Sequence, residues 1–279
     1  MNATLTLAWL TFQEARRRSM VLVAIVLGAA FLILFGLGLQ LVAHNRAAHS
    51  ASASALIQSQ VNSLLTLGGL YVVHFLAIML AIVATVDAIP GEIASHTIQT
   101  IVTKPIARWE VIAGKWLGYT AMLTLYTLLL CAGILLEGQL LAGYTPPNVV
   151  PGVALILLEV ATLVSLSLLM GVYVSTLTNG IILFMLYGLA FIGSWVEQIG
   201  TLFNSPATSR IGIVSSLVMP VESLWRLAAY TMQPPLLNTF NTSPFSLGAA
   251  PSGITAVYAV AYAVGLALLA MRAFSLRDL

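Results

Sequence analysis

Long apolar runs separated by short polar stretches dominate this chain. A helix needs roughly 20 apolar residues to cross the hydrocarbon core of a bilayer. Six runs qualify: Met20–Val42, Leu64–Val86, Val111–Leu136, Val153–Thr176, Ile181–Trp195 and Ile254–Met271. The fifth is short and can extend to Ile199. The first lacks a clear small-residue cleavage site, so it reads as an uncleaved anchor. Ahead of it, Leu5, Trp9 and Phe12 recur at i, i+4 and i+7, which places them on one helical face. Gln13, Glu14 and the triplet Arg16, Arg17 and Arg18 follow. That pattern predicts a helix lying in the membrane interface with its cations near anionic headgroups. The chain therefore divides into an amphipathic element, residues 1–19, and a six-span unit, residues 20–279.

Composition fixes the solvent. Hydrophobic residues make up 59 % of the 279 positions and charged ones 7 %, against about 25 % charged in a typical soluble domain. So few polar residues cannot cover so many apolar ones, and lipid must face much of the surface. The fold class is an all-α integral membrane protein. The net charge of +2 points to no nucleic-acid partner.

Cations near the span ends orient the bundle. With both termini cytoplasmic, the inner side holds Arg16, Arg17, Arg18, Lys104, Arg108, Lys115, Arg272 and Arg277. The outer side then holds Arg46, Arg210 and Arg226, a bias of eight to three. The outer connections are residues 43–63, 137–152 and about 200–253. The last is the longest and carries one apolar piece, Pro220–Met232, with Pro220 suited to a first helical position and Glu222 to the positive end of a helix dipole. It reads as a short outer-face or re-entrant helix.

Six charges gather between spans two and three. Asp87, Glu92, Lys104, Arg108, Glu110 and Lys115 fall within DAIPGEIASHTIQTIVTKPIARWEVIAGKW. Pro90 suits a helix start. Ile93, Ile98, Ile101 and Val102 fall close to helical spacing, with Ser95, His96 and Gln99 between them, and Pro105 ends the run. This predicts a short amphipathic cytoplasmic helix, which can lie on the bilayer or fit a groove on a soluble partner.

Catalytic tools are scarce. Trp109 stands where the first glycine of a phosphate-binding GxxxxGK would be, and no Ser or Thr follows Lys115. No HExxH is present, and Gly193-Ser194 lacks a nucleophile-elbow context. His44 and His49 share an outer connection without a cysteine or carboxylate beside them, a poor metal set. Cys131 is alone. No catalytic or metal site is expected. Of the ionisable residues inside spans, two are candidates, Glu159 and His74. Such residues are candidates for a substrate or proton path. The plainer reading is a Glu159 carboxylate at the end of an outer vestibule, bonded to a neighbouring helix, and a neutral His74 in a satisfied interhelical hydrogen bond.

The pattern Glu92-(x)4-Thr97, then Thr103-Lys104-Pro105-Ile106-Ala107-Arg108, then Gly114-Lys115, resembles the permeases of ABC type-2 transporters. It is similar to the branch that includes the permease for nitrous-oxide-reductase maturation. His96 departs from the pattern, since a small residue commonly precedes the threonine. The resemblance covers most of the chain: an amphipathic elbow, six spans and a long outer connection before the last. It implies that 92–103 is a coupling helix, within a cytoplasmic segment 87–110, seated on a separate ABC ATP-binding subunit. Glu92, Thr97, Gln99, Lys104, Pro105, Arg108 and Lys115 are its coupling candidates. Trp9, Phe12 and Arg16–Arg18 would belong to the elbow. The resemblance further implies an exporter with two permease copies, identical or related, in the cell membrane among lipids. ATP and Mg would sit on the partner, with no cofactor on this chain. An accessory protein could engage the outer loop. The rival readings are a non-transporting membrane scaffold or assembly factor and, without a convincing residue set, an intramembrane enzyme.

Overall fold

In a computed structural model, residues 3–49, 55–95, 107–202, 206–234 and 252–277 are described. Their regular structure is helical: α1 (Ala3–Arg17), α2 (Ser19–His49), α3 (Ala55–Thr85), α4 (Pro90–Ala94), α5 (Arg108–Ala142), α6 (Val149–Tyr173), α7 (Thr176–Leu202), α8 (Pro206–Val218), α9 (Val221–Met232) and α10 (Ile254–Leu276). Six helices are long and apolar enough to cross a membrane. The α8–α9 pair, bent by 107°, would make a seventh only if counted as one broken span.

The helices outrun the apolar stretches that predict them. Flanking breakers do not stop them: Gly138 lies inside α5, and Pro151 falls in the first turn of α6, where its missing N–H breaks no hydrogen bond. Residues 55–63 and 137–142, expected in outer connections, extend α3 and α5. The fifth span is not short: α7 runs Thr176–Leu202. The stretch about 200–253 is also more ordered than a loop with one helix, because α8 precedes α9. α5 stops where chain chemistry says it should. Gly143 takes the left-handed conformation at φ 62° and the Tyr144 N–H donates to the Gly138 carbonyl at 3.1 Å, a glycine helix stop. At its start, the Glu110 carboxylate accepts from the Ala107 N–H at 3.0 Å, so Glu110 serves as a cap.

α5 is the central pillar. α1 lies across it because Gly114 and Gly118, one helical turn apart, leave room. A Cβ at Gly118 would stand 2.7 Å from the Ala8 carbonyl oxygen. α1 thereby buries Thr11 and Ala15 and leaves Leu5 and Trp9 exposed, with Trp9 and Phe12 stacked at 5.9 Å. Of the face expected to meet the membrane, Leu5 and Trp9 are turned away from the protein, while Phe12 packs partly against the core. α2 is exposed over most of its surface, with Val21 and Leu39 as its buried hydrophobic residues. α3, α5 and α6 form the core, joined by Leu67, Leu70, Ile78, Leu123, Ile134, Val160 and Leu163.

At one end of the bundle, α8 and α9 fold back onto α6 and α7. Val221, Leu224, Trp225, Ala228 and Met232 of α9 are buried at helical spacing. Tyr258 and Tyr262 of α10 donate to the last carbonyls of α8, Leu217 at 2.6 Å and Val218 at 2.8 Å. These bonds satisfy groups that a helix end otherwise leaves open and hold the bend.

Candidate functional site

Two polar systems stand out in this apolar bundle, one at the end that carries α1 and α4, the other in its interior.

The first gathers the start and end of the charged segment. Lys115 donates to Glu92 at 2.5 Å, with side-chain exposures of 6 % and 18 %. These residues are 23 positions apart, and α4 and α5 bring them together. Asp87, in the turn after α3, accepts from Thr176 at the start of α7 at 2.9 Å. It also meets Arg18 at 3.5 Å. Arg18 reaches Glu14 at 3.2 Å. Burial alone would lower the Arg18 pKa, but Tyr119, Glu14 and Asp87 nearby raise it above its ordinary value. Asn179 bridges two chain segments, donating to the Val86 carbonyl at 3.0 Å and the Ser167 carbonyl at 3.1 Å. Arg108 donates to the Arg277 carbonyl at 2.6 Å, and Arg277 in turn donates to the Val172 carbonyl. One end of the bundle is therefore tied across α1, α3, α4, α5, α6, α7 and α10.

Of the coupling candidates, Glu92, Arg108 and Lys115 belong to this network. Thr97, Gln99, Lys104 and Pro105 lie outside the described residues, as does most of the helix expected over 92–103; α4 covers its start. Arg16 and Arg17 are exposed, and Arg18 is the one of the triplet inside the network. The sequence marks Gly114-Lys115 as a motif. The fold separates its two halves: Gly114 seats α1, and Lys115 closes the ion pair.

The second system is fully internal. His74 of α3 sits between two carboxylates. Its Nδ1 is 2.5 Å from Glu159 Oε2, and its Nε2 is 3.7 Å from Glu222 Oε2. The first distance is a short, charge-assisted hydrogen bond; the second is beyond hydrogen-bond reach. His74 and Glu159 have no exposed surface and Glu222 has 4 %. The Trp225 ring stacks on His74 at 4.9 Å, and Tyr71 does so at 5.7 Å. Glu159 therefore bonds a neighbouring helix, as expected, but it lies at no open vestibule. His74 is only half satisfied, because its Nε2 has no hydrogen-bond partner. Glu222 is the member that sequence reasoning missed. It reads as a helix-dipole partner, and nothing in its spacing to His74 reveals that α9 folds back into the bundle. Among the described residues, no cluster of three or more His, Cys, Asp or Glu has metal-binding geometry.

Residues 5–279 match the family model described as ABC-2 family transporter protein. No curated protein matches the chain.

Proposed function

The chain belongs to the ABC-2 family of transporter proteins, and from that premise we propose that it is an exporter permease driven through its charged segment, residues 87–110. The family makes it the membrane component of an ABC transporter that works with an ABC ATP-binding subunit. In the proposed arrangement both termini are cytoplasmic and the end carrying α1 and α4 faces the ATPase. α1 is the elbow helix, and the segment beginning at α4 is the coupling helix. Two permease copies pair with two ATPases, which carry the ATP and Mg. The same reading sets the chain beside the permease for nitrous-oxide-reductase maturation.

The observation that carries this reading is the Glu92–Lys115 pair. It fastens the entry of the coupling segment to α5 at 2.5 Å. Asp87 and Arg108 extend the same attachment to α1, α7 and α10. A segment held at both ends in this way moves as one body with the bundle. ATP binding that shifts the segment would then shift several spans together, between inward- and outward-facing states. The nucleotide does so only if it binds one state more tightly.

The test uses the tagged permease purified in mild detergent. A P-loop ATPase should co-purify. Glu92→Gln should lower permease-stimulated ATP hydrolysis by about tenfold, equivalent to about 1.4 kcal/mol, and the exchange Glu92→Lys with Lys115→Glu should restore part of it. Absence of an ATPase, with no effect of either variant, would favour a scaffold or assembly role instead.

A further inference from the structure

We propose that His74, Glu159 and Glu222 form a proton-binding site inside the bundle, filled from the end capped by α8 and α9. The charge count is the first reason. Two carboxylates and one imidazole share a volume with almost no exposure. With only the imidazole protonated, the cluster keeps one net negative charge. An uncompensated charge in such a place is costly, and groups there neutralise instead. A second proton brings the cluster to neutrality, and its natural seat is the unpaired side.

Geometry supplies that side. His74 Nε2, Glu222 Oε2 and Glu159 Oε1 are all buried without a hydrogen-bond partner. The first two face each other at 3.7 Å. A small approach of α9 toward α3 would make that bond, and a small retreat would leave both atoms open. The site thus offers a position for a proton whose gain or loss α9 can follow.

A route leads to it. A small polar cavity of about 10 Å³ is lined by Ser194, Glu197, Ser215, Glu222, Ser223 and Arg226. That is space for about one water molecule. Ser194 Oγ is buried there with no hydrogen-bond partner. Arg226 and Glu197 pair at 2.7 Å in the cavity wall. A water in the cavity would touch Glu222, Glu222 faces His74, and His74 bonds Glu159. Titratable groups from five helices face one another around the cluster. Tyr71 comes from α3, Cys131 from α5, Glu159 from α6, Tyr187 from α7 and Glu222 from α9. The enclosed volume admits a proton or a water and no organic substrate. The site stands apart from the proposed coupling role.

Trp225 provides the readout, since protonated imidazole quenches a stacked indole. The full chain is reconstituted in liposomes of known orientation, and emission is followed against pH on each side, with Trp225→Phe as background. Emission should titrate, and His74→Gln should abolish the change. Glu159→Gln should move the midpoint to lower pH, because it removes the closer negative charge; Glu222→Gln should move it less. The response should follow pH on the α8–α9 side, and Ser194→Val should slow it. Flat wild-type emission, or an unchanged titration in His74→Gln, overturns the site. A response only from the α1 side overturns the route. Should His74→Gln misfold, wild-type infrared difference spectra between high and low pH decide. A carboxylic-acid C=O band that Glu222→Gln diminishes supports the site, and the absence of any such band overturns it.

Discussion

The two polar systems of this protein use similar residues to opposite ends. At the α1 end, Lys115, Arg18, Arg108 and Arg277 each meet a carboxylate or carbonyl, and the partial exposure of Glu14 and Asp87 softens any imbalance. In the interior, one imidazole serves two carboxylates, and three polar atoms are left without hydrogen bonds. Although Glu92 Oε2 and Asn179 Oδ1 lack hydrogen bonds there, a system in which every cation has its own partner holds a shape. A system one proton short has two states close in energy. The fold places the first where seven helices meet and the second beneath the short helix α9.

Three substitutions break or sharpen this contrast. The largest effect is expected at His74→Leu, which leaves Glu159 and Glu222 buried without their cation. Breaking a buried pair in this way costs about 3–5 kcal/mol. Thermal unfolding in detergent should show the loss most strongly at high pH. The loss should shrink as pH falls, because protonated carboxyls are neutral. Replacing all three by leucine should recover most of the stability, since an apolar set of similar volume needs no charge partner. A triple variant less stable than His74→Leu would show that the cluster holds the bundle together instead of tuning it.

A smaller effect is expected at the other end. Lys115→Ala removes the partner of a Glu92 side chain that is 18 % exposed. Truncation of Lys115 lets water reach the carboxylate, so the cost should be about 1.5–3 kcal/mol, the range for a lost hydrogen bond to a charged group. Lys115→Arg should recover part of it. A pH dependence as steep as that of His74→Leu would erase the distinction between the two systems. The smallest effect belongs to Glu14→Ala. Glu14 is 56 % exposed and one turn from Arg18, and exposed pairs at that spacing are worth about 0.3–0.5 kcal/mol. A loss above 1 kcal/mol in the same unfolding assay would mean that α1 is held mainly by charge and not by its close seat on Gly114 and Gly118.

Much of the bundle was legible because hydropathy reports lipid contact directly. All six spans were placed, and Pro220 announced α9. The ends of the spans were misplaced because apolar runs mark where lipid stops, while a helix continues until its backbone is capped or broken. The addition of Ala55–Ser63 to α3 is the clearest case. α8 was missed because PATSRIGIVSSLV mixes polar and apolar residues; it leaves Ile211, Ile213, Val214 and Leu217 exposed, and its place is set by contacts with α7 and α10. Within the two polar systems, Glu92, Arg108 and Lys115 stand at motif positions, and Glu159 and His74 are ionisable within spans.

By itself, then, the sequence determined the solvent, the number of spans and the family-like motif, all of which depend on residue type and local spacing. Partnership was decided only by the tertiary structure. Lys115 finds Glu92 because a turn and a short helix bring them together across 23 positions. His74 finds Glu222 because α8 and α9 bend by 107° and return into the bundle. Nothing local to either residue encodes such meetings. They follow from helix packing, in which glycines such as Gly118 and capped bends such as that after Val218 set how closely and in what direction distant segments approach.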